Sequence, residues 1–338
     1  MGEGLILLDT WSDQTPESQI DGKPARLTCE NLLTRIDLTK NFHAEHNCRH
    51  PFALYNISSE KVLRRLKKFI DAAIFASRVG RLKDLRDELL EDIPDLVEAV
   101  LYASSEHVDD VRMIFDTFYL PEATHKSKAQ TRPYIEMLKS KKSQITSLAN
   151  NIKHNHGRIR IFGGELAREK EVDVLLGFTC ESYIDGGLGP NPHFHEKFGN
   201  IVSLSAFAWE HLLFLWDVSN IVQQFLEKCT HQLSDTELMV NPIPFTDVFH
   251  RLLDLPLYSF DTAHPINNRK IRINGKIRPH VIARDLLGSI YLPWNKTDLS
   301  RAEPGGFSMM FRGDGATKKF HLAMPRSFTL IHWQQFPE

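Results

Sequence analysis

From residue 58 onward the apolar residues fall at three- and four-residue steps: Val62, Leu63, Leu66, Phe69, Ile70, Ala73 and Ile74. That period lines one face of an α-helix, and Ser58 or Ser59 is the residue type that caps one. A second helix is expected from about Leu82 to Ala103, with a break near Ile93, where Asp92 and Pro94 form a fresh start signal. A third follows Ser104 or Ser105, turning Val108, Val111, Ile114, Phe115 and Phe118 inward and stopping before Pro121. Pro133 opens a fourth, whose Ile135, Leu138, Ile145, Leu148 and Ile152 keep the helical period until Gly157. Successive helices on short loops predict an antiparallel bundle.

Beyond Gly157 the period shortens to two. RIRIFGGEL and EVDVLLGFTCESYI read as strands, DGGLGPNPHFHEKFGN as a loop, and Asn274-Gly275 and Asp314-Gly315 as hairpin turns. One long segment, AFAWEHLLFLWDVSNIVQQFLEK, is apolar nearly all round and capped by Ser203 or Ser205. Such a helix is expected to be buried between the two halves of the chain. The fold class is therefore α+β: an N-terminal antiparallel helical bundle, then a mixed domain with antiparallel strands and one long buried helix. The expected division is an N-terminal arm or strand region over 1–57, the bundle over 58–157 and the mixed α+β domain over 158–338.

Composition narrows the setting. The 338 residues are 42% hydrophobic and 25% charged, and no stretch approaches the ~20 apolar residues of a bilayer span, so no membrane association is expected. The start, MGEGLILLDTWSDQ, lacks a basic n-region and a small-residue cleavage site, which predicts a cytoplasmic protein. Cys29, Cys48, Cys180 and Cys229 form no CxxC pair, so reduced thiols are expected. A net charge of -2 excludes a chain-wide nucleic-acid footprint but leaves basic segments near 61–86 and 153–160.

The densest run of reactive side chains is ANNIKHNHGRIR. On a helix Asn150 and His154 share a face, and His154 and His156 end it, where the carbonyls and the negative end of the dipole favour imidazolium. With Lys153 they form a candidate group for polarising a phosphate or for acid and base work near neutral pH. Arg158 and Arg160 follow on the first strand. Lys61, Arg64, Arg65 and Lys68 share one surface of the first helix, a pattern suited to phosphate backbones or to pairing with the acidic DELLEDIPD of the next helix. Two histidine groups are candidate metal ligands: His43, His46 and His50 at helical spacing, and His193 with His195 on an extended segment. Dinucleotide, P-loop, nucleophile-elbow and H-E-x-x-H signatures are absent, and no cofactor is expected.

A helical bundle whose last long helix ends in SLANNIKHNH resembles the HEPN superfamily over about residues 58–160. In that family an arginine, four to six residues and a histidine on one helix serve metal-independent RNA cleavage. The histidine is present as His154 or His156 and the polar residue as Asn150 or Asn151, whereas Ser147, Leu148 or Ala149 stand where the arginine would be. The resemblance implies an RNA-associated protein of a bacterial defence or toxin type system, with RNA, a companion protein or a second copy of the chain as partners. Two other readings stay open: an interaction or sensor module that oligomerises through the bundle, and a histidine-rich metal-dependent hydrolase.

Overall fold

A computed structural model describes residues 27–79, 84–85, 87–124, 127–154, 157–167, 172–184, 187–191, 194–195, 201–236 and 243–255. It also describes short strands, β1 (Gln19–Ile20) and β2 (Lys23–Pro24) near the start and, within 257–331, further ones that include β7 (Leu257–Ser259) and β13 (Thr329–Ile331). The fold is α+β. Its helices are α1 (Glu30–Leu33), α2 (Pro51–Ser77), α3 (Asp87–Asp116), α4 (Arg132–His154), α5 (Leu204–Leu226) and α6 (Phe245–Leu253).

α2 starts at Pro51 rather than at Ser58. Asn47 takes a left-handed backbone (φ 53°), the chain turns, and His50 caps the helix by accepting the Phe52 N–H on Nδ1 at 3.2 Å. Pro51 then occupies the first turn, where a missing N–H costs nothing. Ser58 and Ser59 are buried inside the helix instead, and their hydroxyls donate back to the Tyr55 carbonyl. The expected break at Ile93 and restart at Ser104 are also absent. α3 runs unbroken through Pro94, and Ile93, Val97, Val100 and Leu101 stay on its buried face. Burial of that face outweighs the one hydrogen bond the proline removes.

The pairs Lys142–Asp109 and Tyr134–Phe115 set α3 and α4 antiparallel, and Ser58–His107 does the same for α2 and α3. α5 completes the set. Ser203 caps it by accepting the Ala206 N–H at 2.9 Å. Its Phe207 packs on Phe69 of α2, and its Phe225 sits among Phe115, Phe118 and Tyr134. The long apolar helix is thus the fourth member of the bundle, running against both α2 and α4. One continuous core extends from Leu27 to Leu255.

The inserted strands β3 (Arg158–Ala167), β4 (Val172–Ile184), β5 (Gly187–Pro190) and β6 (Val202–Ser203) follow α4. β3 pairs with β4 in a long antiparallel hairpin, β5 and β6 add to β4, and β10 (Gly288–Tyr291) adds to the far edge of β3. Residues 187–190, read as loop, form β5 because their backbone completes the edge of β4. Phe178 of β4 lies against Phe207 of α5, so this sheet rests on the end of the bundle where α4 stops. Antiparallel β8 (Ile271–Ile273) and β9 (Lys276–Arg278) pair on either side of Asn274-Gly275, and β11 (Phe307–Phe311) and β12 (Lys318–Leu322) on either side of Asp314-Gly315; both expected turns lie outside the described residues.

Candidate nucleic-acid interface

α4 is held by its apolar side. Leu138, Leu148 and Ala149 are buried and Ile152 packs on the core, which leaves Asn150 exposed on the outer face of the last turns. The helix continues to His154, so its backbone places Asn150 and His154 one turn apart on one face. The side chains of Lys153 and His154, and all of His156, lie outside the described residues. The chain then enters β3 at Arg158, exposed and in register with Glu181, with Arg160 half-buried and Ile159 and Ile161 turned to the core. The expected alternation of basic and apolar residues is therefore realised across this strand.

The basic residues of α2 separate into two kinds. Lys61 is paired with Glu106 of α3 at the surface. Arg64, Arg65, Lys67 and Lys68 make no ion pair with any described residue, and Arg64, Lys67 and Lys68 are exposed. Among the described residues no ion pair joins this face to the acidic DELLEDIPD; the partner of Lys61, Glu106, lies further along α3. The structure does not bring the α2 face and the α4 end together. α2 and α4 each pack on α3 and α5, at opposite corners of the bundle. Between them the outer side of α3 carries Glu91, Asp92, Asp95 and Glu98. Burial and the neighbouring Asp95 raise the Glu98 carboxyl above its ordinary range.

Among the described histidines of the two candidate metal groups, His43, His46, His50 and His195 are each engaged separately. His43 bonds Asn41 through Nδ1 at 3.2 Å, His46 donates from Nε2 to the Tyr119 carbonyl at 2.9 Å, and His50 caps α2. The segment is a turn pinned to the end of α3 by Phe42 N–H on the Thr117 carbonyl, so the helical alignment expected of these three does not form. The His43 and His50 rings meet edge to face at 5.5 Å. His195 is buried and accepts the Cys180 N–H on Nε2 at 2.9 Å, with Thr179 Oγ1 at 3.1 Å. Through Nε2 it ties residues 194–195 to β4. His193 lies outside the described residues. Among the described residues no group of three or more His, Cys, Asp or Glu side chains is arranged to hold a metal ion.

The interior holds polar groups that the sequence pattern did not single out. Ser219 of α5 accepts the Cys29 N–H at 3.0 Å and donates to Cys29 Sγ at 3.2 Å, and Thr28 donates to Asn220 at 2.8 Å. This fastens the segment around α1 to the bundle. Burial pushes the Cys29 thiol up to about 12, so it is an inert core thiol. His107 bonds Ser58 at 2.7 Å and is held by burial at about 3; His211 donates to the Phe207 carbonyl at 2.9 Å, and burial still holds it at about 4. Their only sequence signal is position, since both sit on apolar helix faces where a histidine is counted as polar. Lys141 reaches the buried Asp217 at 3.0 Å and ties α4 to α5.

Compared with protein-family models, with curated proteins and with solved structures, the chain matches none. No helix among the described residues is long and apolar enough to cross a membrane.

Proposed function

We propose that this chain is a HEPN-like, RNA-associated protein of a bacterial defence or toxin type system, with the junction of α4 and β3 as its RNA contact. The observation that carries the reading is the exposure of Asn150 and Arg158 on either side of the helix end. Asn150 and Arg158 face water at the two ends of the segment that carries Lys153, His154 and His156. Arg158 and Arg160 offer charge to phosphate oxygens. His154 and His156 suit proton transfer near neutral pH without a metal, and Lys153 adds a fixed positive charge. Asn150 offers an amide for positioning.

The direct test incubates the purified chain with total RNA, with and without EDTA. Cleavage that survives EDTA and falls at least about 100-fold in His154→Ala/His156→Ala is the expected outcome for general acid–base work. Equal cleavage by wild type and variant removes the catalytic role. A chain that neither cuts nor retains RNA removes the RNA reading and leaves a non-catalytic interaction module, in which the same substitutions alter assembly measured by light scattering.

A further inference from the structure

We propose that the turn over residues 41–50 is a pH-sensitive strap on the end of α3, released in acid when His50 takes a proton and lets go of the first turn of α2. The strap lies where α4 starts rather than where it stops, so this inference stands apart from the RNA reading.

One anchor of the strap is the end of α3. Phe42 N–H donates to the Thr117 carbonyl at 2.8 Å, Asn41 Nδ2 to Thr117 Oγ1 at 3.2 Å, and His46 Nε2 to the Tyr119 carbonyl at 2.9 Å. The other anchor is His50, whose Nδ1 accepts the Phe52 N–H at 3.2 Å and whose carbonyl accepts the Leu54 N–H at 3.0 Å. Between them the chain reverses at Asn47, with φ 53°.

Of the three imidazoles in this turn, only one loses a bond on taking a proton. His46 donates to a carbonyl, and His43 Nδ1 lies 3.2 Å from Asn41 Oδ1, an acceptor, so a second proton on either ring leaves these bonds in place. His50 accepts, and a proton on Nδ1 sets a second donor against the Phe52 N–H. The His43 ring meets it edge to face at 5.5 Å, so charge on one opposes charge on the other. Burial holds the His50 imidazole below the ordinary histidine range; the Ile36 carbonyl opposes this and the charge of His43 adds to it.

The other charges nearby are engaged elsewhere or face water. Asp37 and Lys40 pair with one another at 3.2 Å, Glu45 and Arg49 are exposed, and Cys48 Sγ donates to the His43 carbonyl at 3.3 Å. Neither these nor Glu60 of α2 and Asp116 of α3 act on the His50 charge; among the described residues His43 alone does. A folded pKa below the unfolded one keeps the strap closed above pH 6.5 and opens it progressively as the pH falls from there through the lower folded value.

Hydrogen exchange of the full chain at pH 7, 6 and 5, with each amide corrected for its intrinsic rate, tests this. From pH 7 to pH 5 the opening of Phe42 and Phe52 is expected to rise roughly fivefold relative to Leu63 within α2, the factor that a helix N-cap of ordinary strength supplies. His50→Asn, a cap that does not titrate, should hold both amides at their pH 7 level, whereas His50→Ala should open them already at pH 7 and show no further rise. An equal rise at Leu63 marks loss of the whole fold and overturns the strap, as does a Phe52 amide unchanged from pH 7 to pH 5; both comparisons need the wild type alone. A rise at Phe52 without one at Phe42 leaves only a frayed helix end and overturns release from α3. A rise that persists in His50→Asn assigns the titration to another group and overturns the role of His50.

Discussion

Between pH 7 and pH 5 the chain is expected to lose about 4 kcal/mol of folding stability from His107 and His211 alone. Both are buried on helices of the bundle, and burial holds them neutral at about 3 and about 4, against 6.5 in the unfolded chain. The folded values are depressed, so their contribution is complete above pH 6.5 and is lost progressively as the pH falls from there through the folded values of about 4 and about 3. At pH 5 each unfolded imidazole is about 1.5 units below its own pKa, and at 1.36 kcal/mol per unit that favours the unfolded chain by about 2 kcal/mol per histidine. The Nε2 atoms of both rings have no hydrogen-bond partner among the described residues, so a proton arriving there meets no acceptor. A domain of ordinary stability holds about 5–15 kcal/mol, so the loss is a large part of the whole. Urea titrations at pH 7, 6 and 5 measure it. His107→Leu with His211→Phe should flatten the decline; a midpoint unchanged from pH 7 to pH 5 in the wild type refutes the assignment.

The second large effect concerns Phe225. Its ring centroid lies 4.3 Å from Phe115, 4.9 Å from Phe118 and 5.6 Å from Tyr134, joining α5 to α3 and α4. Phe225→Ala removes the centre of that cluster and should cost about 3–5 kcal/mol. Because one core runs through the bundle and α5, the loss should lower the unfolding of the bundle as a whole rather than of a separate C-terminal unit. Calorimetry distinguishes the two. A variant whose bundle transition is untouched, while a second transition shifts, contradicts the shared core.

The apolar faces were legible because period alone reports burial. Val62, Leu63, Leu66, Phe69, Ile70, Ala73 and Ile74 are all buried on α2, and Leu138, Ile145 and Leu148 on α4. β3, β4, the cap at Ser203 and the antiparallel pairs on either side of the two expected turns followed from equally local signals. The starts and breaks were less legible. A serine caps a helix only where the chain enters it, and Ser58 sits inside α2 because a turn at Asn47 and a capping imidazole act first. Pro94 marks a start only when no apolar face runs across it, and here Ile93 and Val97 continue one.

The candidate site was legible in residue type but not in placement. Nothing in the spacing of His43, His46 and His50 shows that each imidazole is engaged by a different part of the fold. Lys61 and Arg64 likewise read alike, until the helix crossing sets Glu106 beside one of them and not the other. The role of α5 was hidden for the same reason. An all-round apolar helix announces burial, while partners such as Phe69 and Tyr134 come from helices much earlier in the chain.

That choice has a consequence for how the chain is made. The groove formed by α2, α3 and α4 closes only when α5 arrives, and the bond from Cys29 to Ser219 spans 190 residues. At about 5–20 residues per second, the ribosome needs several seconds to pass from the end of α4 to the end of α5. For that interval Phe115, Phe118 and Tyr134 lack the Phe225 ring that joins them, so a chain stopped before residue 225 is without the centre of this cluster.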